Sequence, residues 1–158
     1  MKTLLPLAVL LFIPAFAPAQ SYIAHLDSAQ ENNPNDHSTA TGTGTFILTD
    51  HSLAYHIEYS GLTGPATAAH IHKGAVGVNG GVILPFASPF SPIDGTFTLT
   101  DPQITDLNNS LLYANVHTSA FPGGEIRGQI LSVAVPEPSS LGLAGLGLGA
   151  LVWRLRRK

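Results

Sequence analysis

Apolar and polar residues alternate along much of the middle of the chain. From Ser52 to Ser60 apolar side chains occupy every second position, with His56 and Glu58 among the residues between them. This period of two is typical of a β-strand with one buried face. The segment Thr41–Thr49 places apolar residues on one side and a row of threonines on the other. The tight connection at 50–51 predicts that the two segments form a hairpin.

Six further segments are predicted to be short strands, and one segment is predicted to be helical. The strand segments are 22–30, 67–73, 81–84, 95–100, 111–118 and 125–133. Asp101 and Pro102 suit the N-cap and the first helical position, which predicts one or two helical turns over 102–109. About eight short strands, separated by glycine and proline clusters, predict an all-β fold: an antiparallel Greek-key β-sandwich with one short helix.

The N-terminus has the pattern of a secretory signal peptide. Lys2 precedes an apolar segment, residues 4–16, which is followed by small residues ending at Ala19. This order predicts a signal helix within residues 1–19 and cleavage after Ala19. Signal peptidase is therefore an expected processing partner.

The C-terminus combines three features. Pro136, Glu137 and Pro138 precede an uncharged segment, 141–153, and the chain ends with four basic residues: Arg154, Arg156, Arg157 and Lys158. As a helix, residues 139–153 would be about 22 Å long, shorter than a hydrocarbon core of about 30 Å. We expect a brief membrane helix, with the basic end in the cytoplasm and the rest of the chain on the periplasmic side of the inner membrane.

This order of features resembles the PEP-CTERM sorting tail of Gram-negative bacteria, which would span residues 135–158. The resemblance implies a substrate of exosortase, a membrane protease-transpeptidase of bacteria that make exopolysaccharide. It also implies delivery of residues 20–134 to the cell surface or extracellular matrix, where exopolysaccharide or surface proteins would be partners. The two prolines would keep the backbone around Glu137 extended and accessible to the protease.

Charge and cysteine content exclude several classes of function. The whole chain has a net charge of −3, but residues 20–134 contain two basic residues, Lys73 and Arg127, and nine acidic ones, a formal charge of −7. Such a surface repels phosphate backbones, so nucleic-acid binding is excluded. The absence of cysteine excludes disulfides, thiolate metal sites and cysteine nucleophiles.

Histidines are the candidate metal ligands. His70 and His72 are two residues apart, so a strand would point both imidazoles in the same direction, and His117 ends another predicted strand. Two imidazoles so placed could share one Zn²⁺ or Cu²⁺ ion if a neighbouring strand supplied one or two more ligands, and His117 is the natural third. The candidates for a fourth ligand are His25, His37, His51, His56 or a nearby carboxylate. A structural role in hydrogen bonding and a catalytic role without metal are the alternatives.

Glu125 and Arg127 are a second candidate pair. They are also two residues apart, and Arg127 is one of the two basic residues between the targeting ends. A guanidinium that bridges Glu125 and a second acceptor would fix a corner of the sheet, so we expect a structural ion pair. Capture of an anionic ligand by Arg127 is the alternative, which the surrounding negative charge disfavours.

Several sequence words together resemble a CHRD domain, the repeat named after chordin that also occurs singly in bacterial secreted proteins. They are AAHIHKG at 68–74, NVHT at 115–118, PGGEIRGQ at 122–129, the threonine–glycine repeat at 41–45 and the stretch 53–62. The resemblance implies a β-sandwich and an extracellular setting, but no general biochemical activity. The matching polar residues are His70, His72, His117, Glu125 and Arg127. Because this chain has one repeat and no cysteine-rich modules, growth-factor antagonism is not expected.

The expected function is that of a non-enzymatic, exported interaction module without an assigned cofactor. The alternative is a histidine-based Cu- or Zn-binding domain with redox activity. The His-x-His pair is similar to that of Cu/Zn superoxide dismutase, but the disulfide cysteines and a second histidine-rich loop are missing, so this activity is not expected. Carbohydrate binding is a third hypothesis, and it would depend on tyrosines or phenylalanines because Trp153 lies in the tail.

Overall fold

The computed structural model describes residues 19–32 and 38–133. This part of the chain contains nine β-strands, one α-helix and a 3₁₀-helix at Ser28–Gln30. The elements are β1 (Gln20–Asp27), β2 (Thr41–Thr49), β3 (Ser52–Ser60), β4 (Ala66–Lys73), β5 (Gly81–Pro85), β6 (Ile93–Thr98), α1 (Asp101–Asn108), β7 (Leu112–Thr118), β8 (Ile126–Gln129) and β9 (Leu131–Val133). The predicted signal helix, the predicted C-terminal membrane helix and His37 lie outside the described residues.

The strands form one antiparallel sheet that is nearly closed. Their order is β5-β4-β7-β8-β1-β2-β3-β6, and β9 also pairs with β1. We call β5, β4, β7 and β8 the first half of the sheet and β1, β2, β3 and β6 the second half. The connections from β3 to β4, from β5 to β6 and through α1 to β7 each lead from one half to the other, as in Greek-key folds. The predicted all-β antiparallel fold with one short helix is confirmed.

The second half follows the simple alternation that the sequence predicts. In β3, Leu53 and Ile57 are buried, whereas Ala54, His56 and Glu58 are exposed. Each fully buried Leu or Ile contributes about 1.5–3 kcal/mol relative to an exposed position. The inward-facing residues of both halves meet in one hydrophobic core. The predicted hairpin is present, because β2 and β3 pair from Thr41 and Ser60 to Thr49 and Ser52.

Two local predictions need correction. The segment 125–133 forms two strands instead of one: β8 pairs with β7, and β9 pairs with the beginning of β1. Between them the Ile130 N–H donates to the Leu112 carbonyl. The N-cap of α1 is Thr100 and not Asp101. The Thr100 N–H donates to Gln103 Oε1 at 2.9 Å, which satisfies the donor at the beginning of the helix.

The first half differs because both faces of β7 and β8 are buried. All seven residues of β7 are buried. Its inner face is apolar, with Ala114 and Val116 packed in the core. Its outer face belongs to a layer of polar side chains across β4, β7 and the segment 125–129, which we call the polar layer. The polar layer comprises His70, His72, Tyr113, Asn115, His117, Glu125, Arg127 and Gln129.

Strand register sets the arrangement of the polar layer. His72 lies opposite Tyr113, which lies opposite Gln129, and His70 lies opposite Asn115. Because directly opposed residues point to the same face, these side chains share the outer face of the sheet. Loops lie over this face and supply hydrogen-bond partners, which is how a polar face can be buried.

Candidate metal centre

Three histidines of the polar layer converge on one point. One ring nitrogen from each of His70, His72 and His117 lies within 4.8 Å of the others. Strand β4 supplies His70 and His72 from alternate positions, and β7 brings His117 beside them. Ring nitrogens this close together can coordinate one transition-metal ion. The structure therefore joins the three histidines that the sequence predicts as ligands, while metal binding itself stays a prediction.

Backbone carbonyls orient two of the three rings. Nδ1 of His72 lies 3.0 Å from the Gly80 carbonyl, and Nδ1 of His117 lies 3.0 Å from the Pro122 carbonyl. A carbonyl oxygen only accepts, so each Nδ1 carries the proton and each neutral ring keeps a lone pair on Nε2. This is the arrangement that fixes metal-binding histidines in proteins.

The two Nε2 atoms have different surroundings. Nε2 of His117 lies 3.2 Å from Nδ1 of His70. Nε2 of His72 is buried and has no hydrogen-bond partner among the described residues. A buried polar atom without a partner is costly, and in native proteins it commonly marks a water, an ion or a functional role.

All three rings favour the neutral form that binds metals. Burial lowers the pKa of His70, His72 and His117. Charge on neighbouring groups lowers these pKa values further: His72 acts on His70, the Arg127 guanidinium acts on His72, and both other histidines act on His117. Because a protonated imidazole cannot coordinate a metal, the low pKa values keep the ligands available at neutral pH.

Tyr113 and Arg127 support the position of His72. The His72 and Tyr113 rings are stacked, with centroids 4.9 Å apart and an angle of 10°. The Arg127 guanidinium carbon lies 3.9 Å from the Tyr113 centroid, and Arg127 donates to Asn79 Oδ1 at 3.2 Å and to the Val78 carbonyl at 3.3 Å. Tyr113 was not predicted as part of the centre, although its position four residues before His117 places it on the same face of the strand.

The predicted ion pair between Glu125 and Arg127 is wrong. The buried Glu125 carboxylate instead accepts hydrogen bonds from Ser38 Oγ (2.8 Å), the Thr63 N–H (2.8 Å), Thr63 Oγ1 (2.9 Å) and Thr118 Oγ1 (2.7 Å). Burial raises the pKa of Glu125, but these hydrogen bonds outweigh it and leave the pKa below its ordinary value. Glu125 therefore stays charged without the guanidinium, and it ties two loops to β7.

Two family models match the sequence. The CHRD domain model covers residues 22–130, most of the chain, and a model described as the PEP-CTERM protein-sorting motif covers residues 134–158. The chain belongs to the CHRD domain family. The sorting motif marks it as an exported protein that is processed by exosortase. No curated protein and no solved structure matches the chain.

Within residues 19–32 and 38–133, the CHRD domain contains no helix that is long and apolar enough to cross a membrane.

The other histidines among the described residues do not join the centre, so the expectation that His25, His51 or His56 supplies a fourth ligand is wrong. His51 lies between Asp50 and Asp101, and His56 contacts Asp94 and Glu58. Hydrogen bonds with these carboxylates raise the pKa of His51 and His56, the reverse of the shift at the centre.

Glu31 is a second buried carboxyl group, beside the polar layer, and it was not among the predicted site residues. Burial raises its pKa to about 7, although the Arg127 charge acts in the opposite direction. Its Oε1 and the Oδ1 of Asn115 are both buried and have no hydrogen-bond partner within residues 19–32 and 38–133. A β-carbon built on Gly124, which has a φ of 128°, would lie 2.5 Å from each of these oxygens. Only glycine fits this position.

Gly80→Ala tests how the loop at 74–80 supports the CHRD domain. A β-carbon at Gly80 would lie 1.5 Å from the Lys73 carbonyl oxygen, so the loop must move away from His72. We expect a loss of about 1–3 kcal/mol in the free energy of unfolding. Gly81→Ala is the matched control, because its β-carbon meets nothing within 4 Å, and it should change stability by less than about 0.5 kcal/mol. Equal stability of the two variants, measured by urea unfolding, would contradict this role.

Glu31→Gln tests the buried carboxyl through pH. Because the folded-state pKa of Glu31 lies above its unfolded value, wild-type stability should fall, relative to Glu31→Gln, as the pH rises from 4.5 to above about 7. At about 1.4 kcal/mol per pKa unit, the relative loss is of order 3 kcal/mol. Urea unfolding of both proteins between pH 4.5 and 8 measures it. A stability difference that does not change with pH would show that Glu31 titrates normally.

Proposed function

We propose that this exported CHRD domain binds one transition-metal ion, Zn²⁺ or Cu²⁺, through His70, His72 and His117. The observation that supports the proposal is the convergence of the three ring nitrogens within 4.8 Å. Imidazole nitrogens suit Zn²⁺ and Cu²⁺, and three of them on two neighbouring strands form a recognisable ligand set.

The hydrogen bonds favour metal binding over a purely structural role. In a structural cluster each ring nitrogen would find a protein partner, but Nε2 of His72 has none among the described residues. Burial lowers the pKa of all three rings and so favours their neutral form, and the group contains no carboxylate that would attract protons to them. The formal charge of −7 on residues 20–134 raises the local concentration of cations around the domain.

The second candidate function is that of a non-enzymatic interaction module, and a surface feature favours it. Val76, Val78 and Val82 are exposed apolar residues on the loop 74–80 and the adjacent strand β5. This loop contacts the candidate metal centre, because the Gly80 carbonyl accepts a hydrogen bond from Nδ1 of His72. A metal ion would therefore hold the loop that displays these residues, so the two candidate functions are compatible. Surface proteins or exopolysaccharide are the proposed partners.

Metal titration of the CHRD domain tests the first candidate function. Residues 20–134 are titrated with Zn²⁺ and with Cu²⁺ while thermal unfolding is followed. We expect micromolar affinity and, at 100 times the dissociation constant, a stabilisation of about 2.7 kcal/mol.

The double variant His70→Ala/His72→Ala should lose this stabilisation. The matched control is His51→Ala/His56→Ala, which removes two exposed histidines outside the centre and should keep it. If wild type shows no metal-dependent shift, or if the control loses the shift and the first variant does not, the proposed centre is wrong.

We further propose that the sorting tail first holds the domain on the periplasmic side of the inner membrane, and that exosortase then releases it to the cell surface or matrix. The motif match at 134–158 supports this order, as do the apolar segment and the terminal basic residues. The basic residues would remain on the cytoplasmic side.

Replacement of Pro136, Glu137 and Pro138 by alanines tests this order of events. We expect the tail-bearing chain to accumulate in the inner membrane, because the extended recognition segment is lost. Immunoblotting of membrane, surface and medium fractions measures the distribution. Release that equals that of the wild type would contradict the proposal.

A further inference from the structure

An apolar patch lies at the end of the domain from which the sorting tail leaves. Ser21 of β1 lies opposite Ile47 of β2 on one side and opposite Val133 of β9 on the other. The next outward position of β1, Ile23, lies opposite Leu131. We call these four apolar side chains, Ile23, Ile47, Leu131 and Val133, the tail-side patch.

Three members of the tail-side patch are exposed, Ile23 is half-buried, and the patch is local. Ile47 is 49% exposed, Leu131 45% and Val133 44%. Further along the same outer face the residues are polar: Thr41, Thr43 and His25 of β2 and β1, and Glu58 of β3. Adjacent strands are about 4.8 Å apart, so Ile47 and Val133 lie roughly 10 Å from each other across Ser21. The apolar surface is thus confined to the strand ends beside Val133.

The length of the tail limits how far this patch can be from a membrane. Residues 134–140 connect Val133 to the apolar segment 141–153, and at 3.3–3.6 Å per residue they reach at most about 25 Å. The apolar segment would be roughly 20 Å long as a helix, shorter than a hydrocarbon core of about 30 Å. A short anchor draws its flanking residues towards the lipid, so the connection becomes effectively shorter.

We propose that, before cleavage, the tail-side patch docks on the lipid surface that the tail enters. This inference rests on the membrane anchoring proposed above. Contact with lipid would cover the apolar side chains and hold the Pro136-Glu137-Pro138 motif close to the bilayer, where a membrane-embedded protease acts. The formal charge of −7 on residues 20–134 repels anionic headgroups, so the lipid surface concerned is zwitterionic.

Tryptophan quenching by brominated lipid tests this docking. Trp153 is the only tryptophan of the chain, so Trp153→Phe removes the background. Ile47→Trp is then introduced into the tail-bearing chain, which is reconstituted into phosphatidylcholine vesicles with brominated acyl chains. The matched control is Phe90→Trp, at a position that is 62% exposed and follows Pro89, whose carbonyl accepts a hydrogen bond from Tyr59 at the end of β3 away from Ile47.

We expect the fluorescence of the Ile47→Trp protein to fall at least twofold relative to vesicles without bromine, and that of the Phe90→Trp protein to stay unchanged. Val133→Trp provides a second probe if circular dichroism shows that Ile47→Trp does not fold.

If the chain floats with the vesicles but the patch probes are quenched no more than the control, docking is wrong and anchoring stands. If the chain does not float with the vesicles, anchoring fails and the inference fails with it. Concentration-dependent dimers without quenching would show that a second copy covers the patch, which also overturns the inference.

Discussion

The requirement that buried polar groups find partners determines the architecture of the first half of this sheet. A polar side chain removed from water without a hydrogen bond costs roughly 1–3 kcal/mol, and seven of the eight side chains of the polar layer are buried. The loops offset this cost by supplying hydrogen-bond partners. Ser38 and Thr63 donate to Glu125, and the carbonyls of Gly80 and Pro122 accept from His72 and His117. Gln129 donates to the carbonyls of Gly74 and Ser110. The irregular segments therefore have defined positions because the strand face beneath them is polar.

This constraint also explains the chemistry of the histidines. Burial lowers the pKa of the rings and so favours their neutral form, and the carbonyls of the covering loops accept a hydrogen bond from Nδ1 of His72 and of His117. The lone pair of His72 Nε2 has no hydrogen-bond partner among the described residues. It lies beside two further imidazoles whose pKa values are also lowered. A metal ion would supply the partner that Nε2 of His72 lacks, just as Ser38, Thr63 and Thr118 supply partners for Glu125. In this view binding and folding are coupled, because the loops that orient the ligands also cover the sheet.

The sequence predicts the elements whose environment is simple and misses those whose environment is built by loops. Strand β3 has one wet face, so its alternation is visible, and the two-residue spacing of His70 and His72 correctly places both rings on one face. Strand β7 is buried on both faces, so its pattern does not reveal which face is the core. The two-residue spacing of Glu125 and Arg127 predicts an ion pair, but Glu125 instead accepts hydrogen bonds from residues up to 87 positions away in the chain. Such contacts, like the environment of Glu31, depend on tertiary structure that no local pattern records.

The most direct test of this account is the coordination sphere of the metal-loaded domain, determined by X-ray absorption or by a crystal structure with anomalous scattering at the metal edge. The account predicts one Zn²⁺ or Cu²⁺ per chain, coordinated by one ring nitrogen from each of His70, His72 and His117 at about 2.0–2.1 Å, with Nε2 as the ligand atom of His72 and His117. A metal held only by exposed groups such as His51 or His56, or scattered over several partly occupied positions, would contradict it.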